Sequence, residues 1–271
     1  MTDRYAVFGN PLSHTKSPFI HTAFARQFGD DMSYTAIEAP RDGFADSVHR
    51  FIGEGGRGIN VTVPFKIEAF ALATEARDAA AICGASNCLK FEDGKIIAEN
   101  FDGVGLVRDI SENLGHDLTG KRILFAGAGG ATRGAVAPFL AAGVHSVTIA
   151  NRTVAKADAI RGLLSDRGTI HTTSYDAASG SFDIVLNSTT TSLTGNKPPL
   201  PPSVFDGAAL AYDLVYGKGL TPFLADAKAQ GAEVADGVGM LVEQAAEAYL
   251  WWRGQRPDTA QVIEEMTIPL T

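Results

Sequence analysis

Two cysteines and six singly placed histidines, in a chain of 271 residues, leave little material for a metal site or a disulfide-stapled fold. Cys83 and Cys88 lie five apart, a spacing that fits neither a zinc nor a dithiol motif. Both are expected as buried free thiols in a reducing compartment, and no metal is expected. Basic charge is short as well. Lys and Arg number 23 against 31 Asp and Glu, a formal net charge of -8. Such a surface repels nucleic acid and anionic membrane, so neither is an expected partner. No apolar run approaches the ~20 residues of a membrane span. The opening stretch MTDRYAVFGN lacks an apolar signal core and reads as a strand entering a fold. A cytoplasmic location is expected on the same ground.

What is present is alternation. YAVFG (5–9), SYTAIEA (33–39) and GINVTV (58–63) read as strands, separated by helical stretches at 17–29 and 41–55. SNCLKF and KIIAEN flank EDGK, a hairpin turn, so the first sheet is expected to be mixed. A helix is expected over 102–115. After the turn-rich GHDLTGK, strands are expected at 122–127, 146–151, 182–189, 208–215 and 231–237, again alternating with helices. That order predicts two α/β domains around a cleft, the second a Rossmann-type doubly wound parallel sheet. The first is expected over 1–101, completed by C-terminal helices at 241–271, and the second over 102–240. TGNKPPLPPS (194–203) reads as a long loop.

In ILFAGAGGATRGA a strand runs into Gly127-Ala128-Gly129-Gly130 and a helix starts at once. Gly127 suits a tight turn and Gly129 a close backbone approach to a pyrophosphate held on a helix N-terminus. The third fingerprint position is Thr132 rather than Gly, and no Gly-Lys-Ser/Thr follows, so a P-loop is excluded. A structural turn would also use glycines, but strand before and helix after favour a dinucleotide. At the end of the next strand, SVTIANRTVAK has no carboxylate to hold a ribose hydroxyl. Asn151, Arg152, Thr153 and Lys156 stand there instead. Cations at a helix start oppose its dipole, and a bound 2′-phosphate would account for them, which favours NADP over NAD.

The first unit gathers polar groups beyond its strands. SHTKS (13–17) follows the first strand. Asn60, Thr62, Pro64 and Lys66 follow another, and Asn87, Asn100 and Asp102 lie further on. Each has an ordinary role available, such as a helix cap for Ser17 or Asp102. Gln244 shares a helix face with Leu241 and Ala248, where a buried amide needs partners.

Together YAVFGNPLSHTKSPFIH, NVTVPFK, GASNCL, DGVG, GAGGATRGA, ANRT, DLVYGKGLTPF and DGVGMLVEQAAEAY resemble the shikimate dehydrogenase family through nearly the whole chain. The resemblance implies NADP-dependent reduction of 3-dehydroshikimate, with Lys66 and Asp102 as the catalytic pair. It implies substrate contacts at Thr15 and Ser17 for the carboxylate, and at Thr62, Asn87, Tyr216 and Gln244. It further implies cofactor contacts at Gly127 to Ala131 (Gly127, Ala128, Gly129, Gly130, Ala131), at Asn151, Arg152, Thr153 and Lys156, and at Leu214 and Gly237. Where the family usually has a substrate-touching Thr, this chain has Phe101. A ring among the substrate groups would alter preference toward quinate, aminoshikimate or another cyclic hydroxy acid. A non-catalytic NADP-binding sensor would need neither Lys66 nor Asp102.

Overall fold

A computed structural model describes residues 2–271, and the chain divides into two compact units. The first comprises 1–105 and 242–262, the second 106–241 and 263–271.

The first unit is built on a six-stranded sheet in the order β2-β1-β3-β5-β6-β4. Its strands are β1 (Asp3–Gly9), β2 (Met32–Glu38), β3 (Gly56–Val61), β4 (Glu75–Ala76), β5 (Cys88–Glu92) and β6 (Lys95–Glu99). β1 pairs parallel with β2 and β3, while β5 runs antiparallel to β3 and β6, so the sheet is mixed. The β5–β6 turn puts Asp93 at φ 52 and Gly94 at φ 75, the left-handed pair a tight hairpin demands. Helices α1 (Ser17–Phe28) and α2 (Phe44–Gly53) follow β1 and β2. Phe8, Phe44, Phe51 and Phe65 pack together in the core, each burial worth about 1.5–3 kcal/mol. Two helices, α3 (Lys66–Leu72) and α4 (Asp78–Cys83), and strand β4 escape the sequence reading. All three are too short for a repeating pattern, the helices at 7 and 6 residues making fewer than two full turns and the strand having 2 residues.

The second unit starts within α5 (Asp102–Arg108), which passes into a π-helical turn at Asp109–Asn113 rather than running on as an α-helix to 115. Asp109 explains the change. Its buried carboxylate takes the Tyr212 hydroxyl at 2.7 Å and Asn113 Nδ2 at 3.0 Å. The unit's sheet has the order β12-β11-β10-β7-β8-β9, all parallel. Its strands are β7 (Arg122–Ala126), β8 (Ser146–Ala150), β9 (Ile170–Thr173), β10 (Ile184–Asn187), β11 (Leu210–Asp213) and β12 (Glu233–Asp236). Relative to β7 this is the doubly wound dinucleotide order. Helices α6 (Gly130–Ala141), α7 (Val154–Leu164) and α8 (Pro222–Ala229) connect the strands. Strand β9, four residues long, was not expected. The loop expected at 194–203 begins and ends in short 3-10 turns, Thr191–Thr194 and Pro202–Phe205.

Helix α9 (Val238–Arg253) and α10 (Ala260–Met266) end the fold. The expectation that 241–271 belongs wholly to the first unit needs correction. Residues 263–271 belong to the second, because Leu270 packs on its core and its carbonyl accepts from Lys228 Nζ at 2.9 Å. Residues 102–105 likewise stay with the first unit. Trp252 carries α9 onto the first sheet. Its indole donates to Leu89 O at 3.1 Å, and a side chain at Gly58 would collide with the ring.

Candidate functional site

Four of the expected groups meet in the first unit. Lys66 opens α3 immediately after the loop from β3, and its Nζ lies 2.5 Å from Asp102 Oδ2. The other carboxylate oxygen of Asp102 accepts from Asn87 Nδ2 at 2.7 Å. The same Asn87 nitrogen donates to Gln244 Oε1 at 3.1 Å, and Asn87 Oδ1 takes the Phe101 N–H at 2.9 Å. Asn87 and Gln244 are buried. The Lys66 side chain keeps 32% exposure and that of Asp102 14%, so the pair is open to a ligand on one side. Close approach of α5 to α9 brings Gln244 in, since a Cβ at Gly105 would meet the Gln244 backbone at 2.7 Å.

Asp102 does not cap its helix. Asn100 does, taking the Asp102 N–H on its side-chain oxygen at 3.1 Å, with its Nδ2 tied to Ala85 O at 3.1 Å. Both Asp102 oxygens therefore serve side chains. Asn100 is a supporting residue that sequence reasoning quoted without assigning it a role, and its i, i+2 spacing to Asp102 was the available signal.

Ser17 is not a cap either. Lys16 is the N-cap of α1 and makes no side-chain cap bond, while Ser17 is buried as the first helical residue. Thr15 Oγ1 lies 3.3 Å from Ser17 Oγ. Thr15 Oγ1 also accepts the Ser17 N–H, at a long 3.4 Å, and two hydroxyls at a helix start suit an anionic group. Thr62 is half-buried after β3, its backbone N–H on Phe8 O at 2.9 Å. Beneath this surface Tyr34 donates to Asn60 Oδ1 at 2.6 Å and stacks on His21 with centroids 4.2 Å apart. Nothing in the sequence beyond strand alternation marked Tyr34.

The Phe101 ring joins an apolar cluster with Tyr5, Val7, Leu12, Tyr34, Cys88, Ala248 and Trp252. It is 8% exposed and meets Trp251 edge-on, centroids 5.7 Å apart. The structure thus gives this ring packing partners within the first unit. Tyr216 lies in the second unit, 36% exposed, in the loop after β11.

In the second unit Gly127 has φ +117, and a Cβ there would sit 2.8 Å from Ser188 Oγ. Thr132, at the imperfect fingerprint position, donates to Gly127 O at 2.9 Å and reaches Ser188 Oγ at 2.7 Å. Its hydroxyl binds turn to helix where the usual glycine would only permit approach. Gly129 caps α6 without a side-chain bond, no acidic residue occupies the first turn, and space is open at Gly129 and Gly130. Ala128 and Ala131 are half-buried on either side. This fits a pyrophosphate. Arg152, Thr153 and Lys156 are exposed at the start of α7, and Asn151 Nδ2 fixes the turn on Thr153 O at 2.9 Å. Among the described residues neither Arg152 nor Lys156 forms an ion pair, as a 2′-phosphate site requires. Leu214 and Gly237 follow β11 and β12, and a Cβ at Gly237 would collide with the Leu214 carbonyl. NADP therefore fits the residues present. Among the described residues no helix is long and apolar enough to cross a membrane.

Three family models match the chain: the shikimate dehydrogenase substrate binding domain over 7–89, shikimate / quinate 5-dehydrogenase over 109–194, and the shikimate 5'-dehydrogenase C-terminal domain over 237–267. A shikimate dehydrogenase (NADP(+)) of Dechloromonas aromatica is 53% identical over 100% of this chain and 99% of its own. The crystal structure of an Ael1 enzyme from Pseudomonas putida is 57% identical with a TM-score of 0.96, covering 99% of this chain and 100% of its own. That of the Thermus thermophilus shikimate 5-dehydrogenase, in complex with NADP(H) and shikimate, is 30% identical with a TM-score of 0.83, over 97% of each chain. Relatives spanning the full length at this identity leave one conclusion: the chain belongs to the shikimate dehydrogenase family.

Proposed function

We propose that this protein catalyses the reversible NADP-dependent reduction of 3-dehydroshikimate to shikimate, with Lys66 and Asp102 as its catalytic pair. The observation that carries this reading is the 2.5 Å contact between Lys66 Nζ and an Asp102 carboxylate whose second oxygen is held by Asn87. NADPH, when bound, supplies the hydride for the ketone carbon. The oxygen then needs stabilisation and a proton. Lys66 spends one N–H on Asp102 and has two left for that oxygen. Asp102 keeps the ammonium oriented, and Asn87 keeps the carboxylate from turning away.

Thr15 and Ser17, at the start of α1, suit the substrate carboxylate, and Thr62, Asn87 and Gln244 suit its hydroxyls; Tyr216 is a further proposed substrate contact. Arg152 and Lys156 suit the 2′-phosphate, Gly127 to Ala131 the pyrophosphate. With the Phe101 ring packed into the core, that position offers no reason to prefer quinate or aminoshikimate. On this reading the enzyme is cytoplasmic and works as a monomer or homodimer. The test is NADPH consumption with 3-dehydroshikimate, beside quinate oxidation with NADP. Turnover of 3-dehydroshikimate well above any quinate rate is expected. Tight NADPH binding without turnover would instead point to a sensor.

A further inference from the structure

The sheets end in four edge strands, and one of them is unprotected. β4, β9 and β12 have 2, 4 and 4 residues, too short to template another strand. β2 has 7, MSYTAIE. It contains no Lys, Arg or Pro. Its register with β1 runs from Met32 to Glu38 without a shift, so no bulge twists it away. Its one charged side chain is Glu38, whose Oε2 is turned to the Leu12 N–H at 3.1 Å.

Alternation decides which backbone groups face outward. Asp31 O accepts the Asp3 N–H at 3.1 Å, and the Ala39 N–H donates to Gly9 O at 3.3 Å. The odd-numbered positions of this stretch therefore bond to β1, and Tyr34, Ala36 and Glu38 turn their N–H and C=O groups away from the sheet. Among the described residues these outward groups have no hydrogen-bond partner. Thr35 and Ala36 point to opposite faces and both are exposed, so no helix covers the edge there from either side.

The two ends of the strand carry opposite charges. Asp31 precedes it and Arg41 follows it. Both are exposed, and among the described residues neither has an ion pair. A second copy laid antiparallel about a two-fold axis at Ala36 pairs Ala36 with Ala36 and Tyr34 with Glu38. Each pair then exchanges both backbone bonds. The same register sets Asp31 of each copy opposite Arg41 of the other, and within the strand no like charges face each other. Asp30 would come level with Asp42, but its carboxylate is already held by Arg253 at 3.0 Å and by the Tyr249 hydroxyl.

We propose that β2 is the interface of a homodimer, joining the first sheets of two copies edge to edge in this register. The contact is isologous, the same strand meeting itself, and it closes at two copies.

The experiment is sedimentation velocity on the purified chain over a range of micromolar concentrations. A species of twice the 28.5 kDa chain mass is expected, and a protein that stays at 28.5 kDa throughout overturns the proposal. The same result is expected if β2 instead receives a strand from a different protein. Arg41→Asp sets two carboxylates opposite each other at both ends of the interface. It should raise the dimer dissociation constant by about tenfold. Adding Asp31→Arg to that variant restores opposite charges and should restore the dimer. Ala36→Pro removes only an outward N–H, a change an edge strand tolerates, and should give a folded monomer. A dimer unmoved by Arg41→Asp and by Ala36→Pro has its interface elsewhere and overturns the proposal. A double variant no tighter than Arg41→Asp alone does so too. Where Ala36→Pro does not fold, the charge pair, lying outside the strand, decides.

Discussion

Asn100 holds the backbone N–H of Asp102 at 3.1 Å, and this one bond releases the Asp102 carboxylate from capping duty. Asn100→Ala should therefore let that carboxylate compete for its own helix start. We expect kcat to fall by about tenfold with the substrate KM within threefold, and Asn100→Asp, which keeps an acceptor, to recover part of the loss. Steady-state kinetics on the two variants check this, and equal kcat in both would remove Asn100 from the positioning role.

Lys66→Ala should lower turnover by roughly 10²-fold or more, as loss of a charge stabiliser and proton donor does. The fold should survive, because the side chain is one-third exposed. Single-turnover NADPH oxidation measures the effect, and a near-normal rate would exclude Lys66 from the chemistry.

Arg152→Ala should weaken NADPH by about tenfold or more and leave NADH nearly unchanged, since only NADPH carries the 2′-phosphate that its guanidinium would pair. Comparable losses with both cofactors would dismiss this assignment.

Phe101→Thr separates packing from specificity. With the ring inside the apolar cluster, its removal should cost about 3 kcal/mol of stability and leave shikimate kinetics no better. Urea unfolding and steady-state rates read the two effects. A gain in efficiency at unchanged stability would restore the ring to the substrate surface.

His21 predicts an acid-sensitive fold. It is fully buried, neither ring nitrogen has a hydrogen-bond partner, and burial pushes its pKa down to about 3. An unfolded chain takes up that proton near pH 6.5, the folded one only near 3, so the unfolded state binds more protons between the two. The stability is complete above about pH 6.5 and is lost as the pH falls toward about 3, amounting to about 5 kcal/mol. His21→Phe, of similar shape among Tyr34, Phe24 and Trp252, should flatten the slope of stability against pH in that window. Urea titrations at pH 7, 5 and 4 would show it, and parallel curves would discount His21.

The doubly wound order of the second sheet and the mixed first sheet were legible because their strands are apolar runs closed by glycine or hairpin signals. NVTVPFK and DGVG likewise announced Lys66 and Asp102. What stayed hidden depends on distance in the chain. Nothing local says that Asn87 will meet Gln244, 157 residues on, or that Tyr34 will brace Asn60. The packing of Phe101 was hidden in the same way, because its partners, Trp251 and Trp252, come from the far end of the sequence. Thr132 looked like a flawed glycine until Ser188 supplied its partner.

All three crossings between the units fall inside helices, at Gly105/Leu106 in α5, Leu241/Val242 in α9 and Val262/Ile263 in α10. In gene terms the two units alternate, each encoded in two separate stretches. A fragment stopping at residue 105 would lack Trp252 over Gly58 and Leu89, and Gln244 against Gly105, leaving an uncovered sheet face and Asn87 short of one of its partners. Neither half can be exchanged between relatives by one splice. A recombination that keeps either unit whole needs a breakpoint in each of the three helices, so the substrate-side and cofactor-side residues are inherited as an interleaved pair.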